Sequence, residues 1–219
     1  MMLEGRQKAR VKKMPYREER EYRNMPMMET RAAEGEEQSY IVEGYATTFE
    51  PYVLFEIDGI QYKEQIMPDA FEEADLTDVI FVKDHEGTVF ARTKNGSLTL
   101  EVDNYGLKSR ADLGRTSAAK EMHEEIEAKM YTQMSFAFTV AEDAYDMEQH
   151  LRKILRIKKL YDVSAVSFPA NPGTDISVAT RSRFDGFIEQ EKAERLAKEA
   201  KLAAARSKYF YERSKGSWN

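Results

Sequence analysis

The chain has 219 residues, 42% of them hydrophobic, and a formal net charge of −6, enough for one sizeable core with appendages. It contains no cysteine, which excludes a disulfide framework, a thiolate zinc site and a cysteine nucleophile. Charge is uneven: residues 1–17 hold six Lys/Arg against one acid and residues 181–219 ten against six, and removing that +5 and +4 leaves the middle at −15. An acidic middle without a basic groove of interleaved aromatics argues against nucleic-acid binding. No apolar run has the length that spans a bilayer, and no apolar segment follows the basic start, so a soluble, unsecreted protein is expected.

Residues 1–38 are rich in charge and poor in strand pattern, and predict a mobile lead with a short ordered piece near "EYRNMPMME". From Ser39, "SYIVEGYATTF", "YVLFEI" and "IQYKEQIM" read as strands, with a hairpin signal at Asp58-Gly59. "PDAFEEA" opens a short helix at Pro68, and "DVIFVKD", "TVFAR", "SLTLEVD" and "LKSRADL" return to strand. Thr116 or Ser117 can cap a helix in which Met122, Ile126 and Met130 form a buried stripe. "TQMSFAFTV", a polar break at "AEDAYDMEQH" and the run "RKILRIKKLYDVSAVSF" follow, then "PANPGTD". The end, "FIEQEKAERLAKEAKLAAARSKYFYER", is helical by propensity and by its Glu-to-Lys spacings. Strands with few helices, outside regular β-α alternation, predict a mainly β fold with peripheral helices: a closed antiparallel barrel-like core and a long C-terminal helix. The expected division is a lead over 1–38, one domain over 39–181 and a charged helical tail over 182–219.

Three pieces carry candidate chemistry. In "QMSFAFTV" the strand period of two puts Met134, Phe136, Phe138 and Val140 on one face and Gln133, Ser135, Ala137 and Thr139 on the other. On pattern alone a serine on that small, polar face reads as an ordinary solvent-facing residue. In "VKDHEGTVFAR", His85 follows a strand, and imidazole is the side chain best suited to take and return a proton near neutral pH. The other histidines, His123 within a helix and His150 in a charged stretch, are expected at the surface. In "LYDVSAVSF", Asp162 shares a strand face with Leu160, Ser164 and Val166 and therefore needs a partner, either a local hydrogen-bond donor or lysine, or an imidazole that it orients.

In this order the pieces resemble the prohead proteases of tailed bacteriophages, the HK97-like maturation proteases, through "VEGYATTFE", "IMPDAFEEA", "VKDHEGTVFARTKNGSLTLEVDNYGL", "MYTQMSFAFTV" and "LYDVSAVSFPANPGTDI", from about Tyr40 to Arg181. The resemblance implies a fold akin to herpesvirus assembly proteases, with Ser135 as nucleophile, His85 as base and Asp162 as the third member. Two positions depart from the family pattern: Asp162 stands where Glu is usual, one methylene shorter, and Ala137 where Gly is frequent. The resemblance also implies a serine endopeptidase made in the bacterial cytoplasm and acting inside the procapsid. Its substrates would be the major capsid protein precursor, the scaffold segment and the enzyme itself. A homodimer is expected, with no cofactor, metal, nucleic acid or membrane. Backbone amides near "PANPGT" or beside Ser135 are the candidate oxyanion donors. Two other readings stand beside it: a metal hydrolase on His123 and Glu127, which lie at i,i+4 on a helix, and a non-catalytic scaffold or capsid-assembly protein whose tails mediate contacts.

Overall fold

The structure, a computed structural model, describes residues 11–25, 31–32, 40–167 and 178–215. In chain order its strands are Val11–Lys13 (β1), Glu21–Met25 (β2), Arg31–Ala32 (β3), Ile41–Thr48 (β4), Tyr52–Ile57 (β5), Ile60–Ile66 (β6), Ile80–Lys83 (β7), Glu86–Arg92 (β8), Leu98–Val102 (β9), Gly106–Asp112 (β10), Gln133–Asp146 (β11) and Leu151–Val166 (β12). A 3-10 turn occupies Pro68–Phe71, helix α1 spans Ser117–Glu127 between β10 and β11, and helix α2 spans Val178–Lys215. The chain divides into two compact units, Met1–Ser177 and Val178–Asn219.

β11 and β12 are the spine of the larger sheet. They are much longer than their neighbours, 14 and 16 residues, and pair antiparallel from Gln133↔Val166 to Asp146↔Leu151. The expected polar break is in fact the end of β11 and a short turn. Each spine strand has an outer edge shared by two short strands. Along β11 these are β1, opposite Ala144 to Asp146, and β2, opposite Met134 to Phe138, both antiparallel. Along β12 they are β6, opposite Leu151 to Ile154, and β7, opposite Asp162 to Ala165, both parallel. β5 extends the sheet beyond β6, and β8 beyond β7. A second, antiparallel sheet has the order β3-β4-β10-β9. Among the described residues neither sheet closes on itself and the larger one is mixed, so the expected closed antiparallel barrel is not seen. The mainly β architecture with a long C-terminal helix is.

Burial explains the layering. Met134, Phe136 and Phe138 of β11, Leu160 of β12, and Val42, Leu107 and Ala111 of the second sheet belong to one buried apolar cluster; the Phe136 and Phe138 rings stack at 4.7 Å. α1 adds Met122 and Ile126 to it, its start fixed by Thr116, whose hydroxyl accepts from Ala119 N at 3.1 Å. The helix ends before Met130, which is 65% exposed and so does not extend the buried stripe. The Asp58-Gly59 hairpin forms as read, both residues having positive φ (52° and 77°) as a type I′ turn requires. Helix α2 is 38 residues long and exposes Leu196, Leu202, Tyr209, Phe210 and Tyr211.

A buried ion cluster joins β2 to the larger sheet. Arg152, fully buried at the start of β12, donates to Asp143 at 2.7 Å, to Glu64 at 2.7 Å and to Glu21 at 2.7 and 2.9 Å. Arg23 grips both carboxylate oxygens of Glu64, at 2.6 and 2.9 Å, and Tyr52 donates to the same group at 2.5 Å. Burial alone would raise the Glu64 carboxyl, but Arg23 and Arg152 outweigh it and hold it below the usual carboxylate range. Burial and the Glu64 charge together push the Tyr52 hydroxyl well up, so it remains a donor.

Breaking such a cluster leaves uncompensated buried charge, so Arg152→Met is expected to lower stability by about 3–5 kcal/mol, read as a shift of the urea midpoint. The sign of the pH dependence follows from Glu64. A carboxyl depressed on folding stabilises the fold above its unfolded pKa of about 4.3. That stability is lost as pH falls through the lower folded value, so the wild-type urea midpoint is expected to fall below pH ~4.

Candidate active site

The three residues singled out in the sequence come together around the end of β12. Ser135 lies on β11 opposite Ser164, and Ala137 lies opposite Asp162. On the other side of β12, β7 runs parallel to it and delivers His85 in the turn to β8. Lys83 pairs with Glu86 across that turn, so it is a two-residue hairpin. Asp84 and His85 both have positive φ (46° and 61°), the left-handed conformation that glycine and asparagine favour and that other residues adopt at some energetic cost. Local bonds hold it: Asp84 N donates to Ala165 O at 3.0 Å, Ser167 N donates to the Asp84 carboxylate at 3.1 Å, and His85 N donates to Ser164 Oγ at 3.2 Å.

Two short contacts link the side chains into a chain. Asp162 Oδ1 is 2.5 Å from His85 Nδ1, and His85 Nε2 is 2.6 Å from Ser135 Oγ. A carboxylate only accepts hydrogen bonds, so Nδ1 carries a hydrogen and Nε2 faces the hydroxyl. The shorter aspartate reaches the ring directly despite its missing methylene. Ser164 completes the arrangement: its hydroxyl donates to Asp162 Oδ1 at 2.9 Å and lies 3.1 Å from Nδ1. The Tyr22 ring meets the imidazole edge-on at 4.9 Å.

A hydroxyl, an imidazole aimed at it and a carboxylate behind the imidazole can perform nucleophilic acyl transfer, with the ring moving the proton between nucleophile and leaving group. The contacts are largely buried. Ser135 is 0% exposed, and the side chains of His85 and Asp162 are 15% and 6% exposed. The small face of the β11 strand is therefore buried, with Ala137 and Thr139 beside Ser135, contrary to an ordinary solvent-facing strand.

Other sequence candidates lie apart from these contacts. His123 is buried, not at the surface, with its ring against Tyr40 and its Nδ1 3.6 Å from Glu127. Among the described residues no group of three possible metal ligands forms. His150 is half-buried near the β11–β12 turn, its ring edge-on to Tyr62 at 5.6 Å. The "PANPGT" segment lies outside the described residues. Ser164 was visible in the sequence as a neighbour of Asp162 at the strand period but carried no role there. Tyr22 and Arg23 lay in the piece expected to be ordered near "EYRNMPMME" but carried no role there, and Glu64 gave no signal.

Residues 27–186 match the family model described as caudovirus prohead serine protease. No curated protein and no solved structure gives a significant match. The matched stretch contains Ser135, His85 and Asp162, and spans most of the chain. The protein is a serine peptidase, and the chain belongs to the caudovirus prohead serine protease family.

Proposed function

We propose that Ser135 is the nucleophile, His85 its general base and acid, and Asp162 the residue that orients the imidazole. The observation that supports this most directly is the unbroken contact chain Asp162–His85–Ser135, at 2.5 and 2.6 Å. His85 Nε2 takes the hydroxyl proton as Ser135 Oγ bonds to a scissile peptide carbonyl carbon. The ring then returns that proton to the leaving amine as the C–N bond breaks, and water hydrolyses the ester by the same route in reverse. Asp162 holds the Nδ1–H tautomer and stabilises the imidazolium that forms in between. Ser164, bonded to Asp162 and to the backbone of His85, is a positioning residue.

Membership of the family implies capsid-protein substrates in general. The finer reading is that the enzyme trims the major capsid protein precursor and scaffold inside the procapsid, that it also cuts its own chain, and that it works as a homodimer. Enclosure there is what brings enzyme and substrate to high local concentration.

Co-expression with the cognate capsid precursor tests this reading by gel and intact mass. The wild type is expected to trim the precursor, whereas Ser135→Ala and His85→Ala leave it intact while keeping the native fold; full trimming by Ser135→Ala would remove the assignment. Asp162→Asn, which permits the wrong imidazole tautomer, is expected to lower kcat by about 10³–10⁴-fold. Ser164→Ala is expected to cost about tenfold, the worth of one hydrogen bond to a charged group. Both losses should fall on kcat with KM little changed, measured on a peptide spanning the cleavage site.

A further inference from the structure

Ser135 cannot meet a substrate in the structure as it stands, because the strand position beside it is taken. On one side it faces β12; on the other β2 pairs with β11 from Met134↔Met25 to Phe138↔Glu21, with Ser135 opposite Asn24. Ser135 Oγ donates to the backbone carbonyl of Arg23 at 2.8 Å. The serine has one hydroxyl hydrogen and two acceptors in reach, that carbonyl and His85 Nε2. The carbonyl therefore competes with the imidazole for that hydrogen. The contact also puts the carbonyl oxygen, rather than its carbon, in front of the hydroxyl, whereas attack needs the carbon. β2 thus lies as an extended peptide substrate would, by addition to a strand edge, but in a non-reacting pose.

Its side chains show how the position is held. The Arg23 guanidinium spans both oxygens of Glu64 and lies 5.4 Å from the centre of the Phe138 ring. Glu64 is wholly buried and sits on β6, outside β2. A buried carboxylate that grips a planar fork bidentately discriminates strongly for arginine, because an apolar side chain in its place leaves the charge short of a partner. Glu21 ties the same strand to Arg152, and the Tyr22 ring covers one edge of His85. β2 also precedes the residues matched to the family, 27–186, whereas Glu64 lies within them.

We propose that Glu21–Met25 fills the substrate-strand position and holds the enzyme closed, and that Glu64 selects an arginine in the peptide that replaces it, at the residue whose carbonyl Ser135 attacks. This rests on Ser135 being the nucleophile. The strand leaves as a unit, and an incoming peptide takes over its pairing with β11 and its arginine pocket.

The test uses the full-length wild type and a fluorophosphonate, which bonds covalently to an activated serine. Amide hydrogen exchange in residues 21–25 is expected to be at least about tenfold faster once Ser135 is labelled than before; unchanged protection in fully labelled protein overturns the closure. Arg23→Ala, checked for native fold by circular dichroism, is expected to label at least about tenfold faster, because more of it is open; labelling no faster than the wild type counts against the strap. Two fluorogenic peptides, with arginine or norleucine before the scissile bond, read the pocket in both wild type and Arg23→Ala. A preference of about 100-fold or more in kcat/KM for arginine is expected, and equal rates overturn the role of Glu64. If the wild type does not label at Ser135 but labels at another serine, the nucleophile assignment falls and the closure with it, a result distinct from labelling at Ser135 with unchanged exchange.

Discussion

In the ladder between β11 and β12, Ser135 lies opposite Ser164 and Ala137 opposite Asp162, and this register decides whether the three chemical groups can meet. Side chains alternate across a strand with period two, so a slip of one residue would carry Ser135 to the other face of the sheet. The register is held by apolar anchors: Met134, Phe136 and Phe138 occupy the core face, and moving them outward would expose three large side chains. Hydrophobic packing thus places the serine, although none of the packed residues takes part in its chemistry.

β12 serves two partners at once. Its antiparallel side presents Ser135 and its parallel side carries β7, whose end is the His85 turn. His85 therefore reaches Ser135 across the strand that bears Asp162 and Ser164. At the start of the same strand, Arg152 gathers Glu21, Glu64 and Asp143. One continuous strand therefore supports both the Asp162–His85–Ser135 contacts and the charges that fix the chain's N-terminal part against the sheet.

Much of this was legible in the sequence, for physical reasons that differ from piece to piece. The Asp58-Gly59 hairpin and the Thr116 cap follow from local backbone demands. Ser135, His85 and Asp162 stood out because each put a reactive or costly side chain on or beside a strand, and because together they resembled one family. The lead segment was legible only in part: a short ordered piece was expected near "EYRNMPMME", where β2 forms, but its burial was not. Its charges read as solvated, yet Glu21 and Arg23 are buried, because besides each other they meet groups that lie 41 and 131 residues away in the chain. Pairing at such separation leaves no periodic trace. The burial of His123 was equally hidden, since α1 places it against Tyr40, far off in sequence. A succession of short strands suggested a closed antiparallel barrel; among the described residues no sheet closes, and the strand order did not reveal that β6 and β7 join β12 in parallel.

With His85 in its proposed role, the Asp84-His85 turn sets stability against activity. A two-residue hairpin with both φ positive is best served by Asn-Gly, and that pair would relieve the conformational cost borne by Asp84 and His85. It would also delete the imidazole. Selection for a more robust fold alone would thus remove the ring that links Asp162 to Ser135, and a stability-guided redesign that keeps the proposed site would have to exempt these two positions.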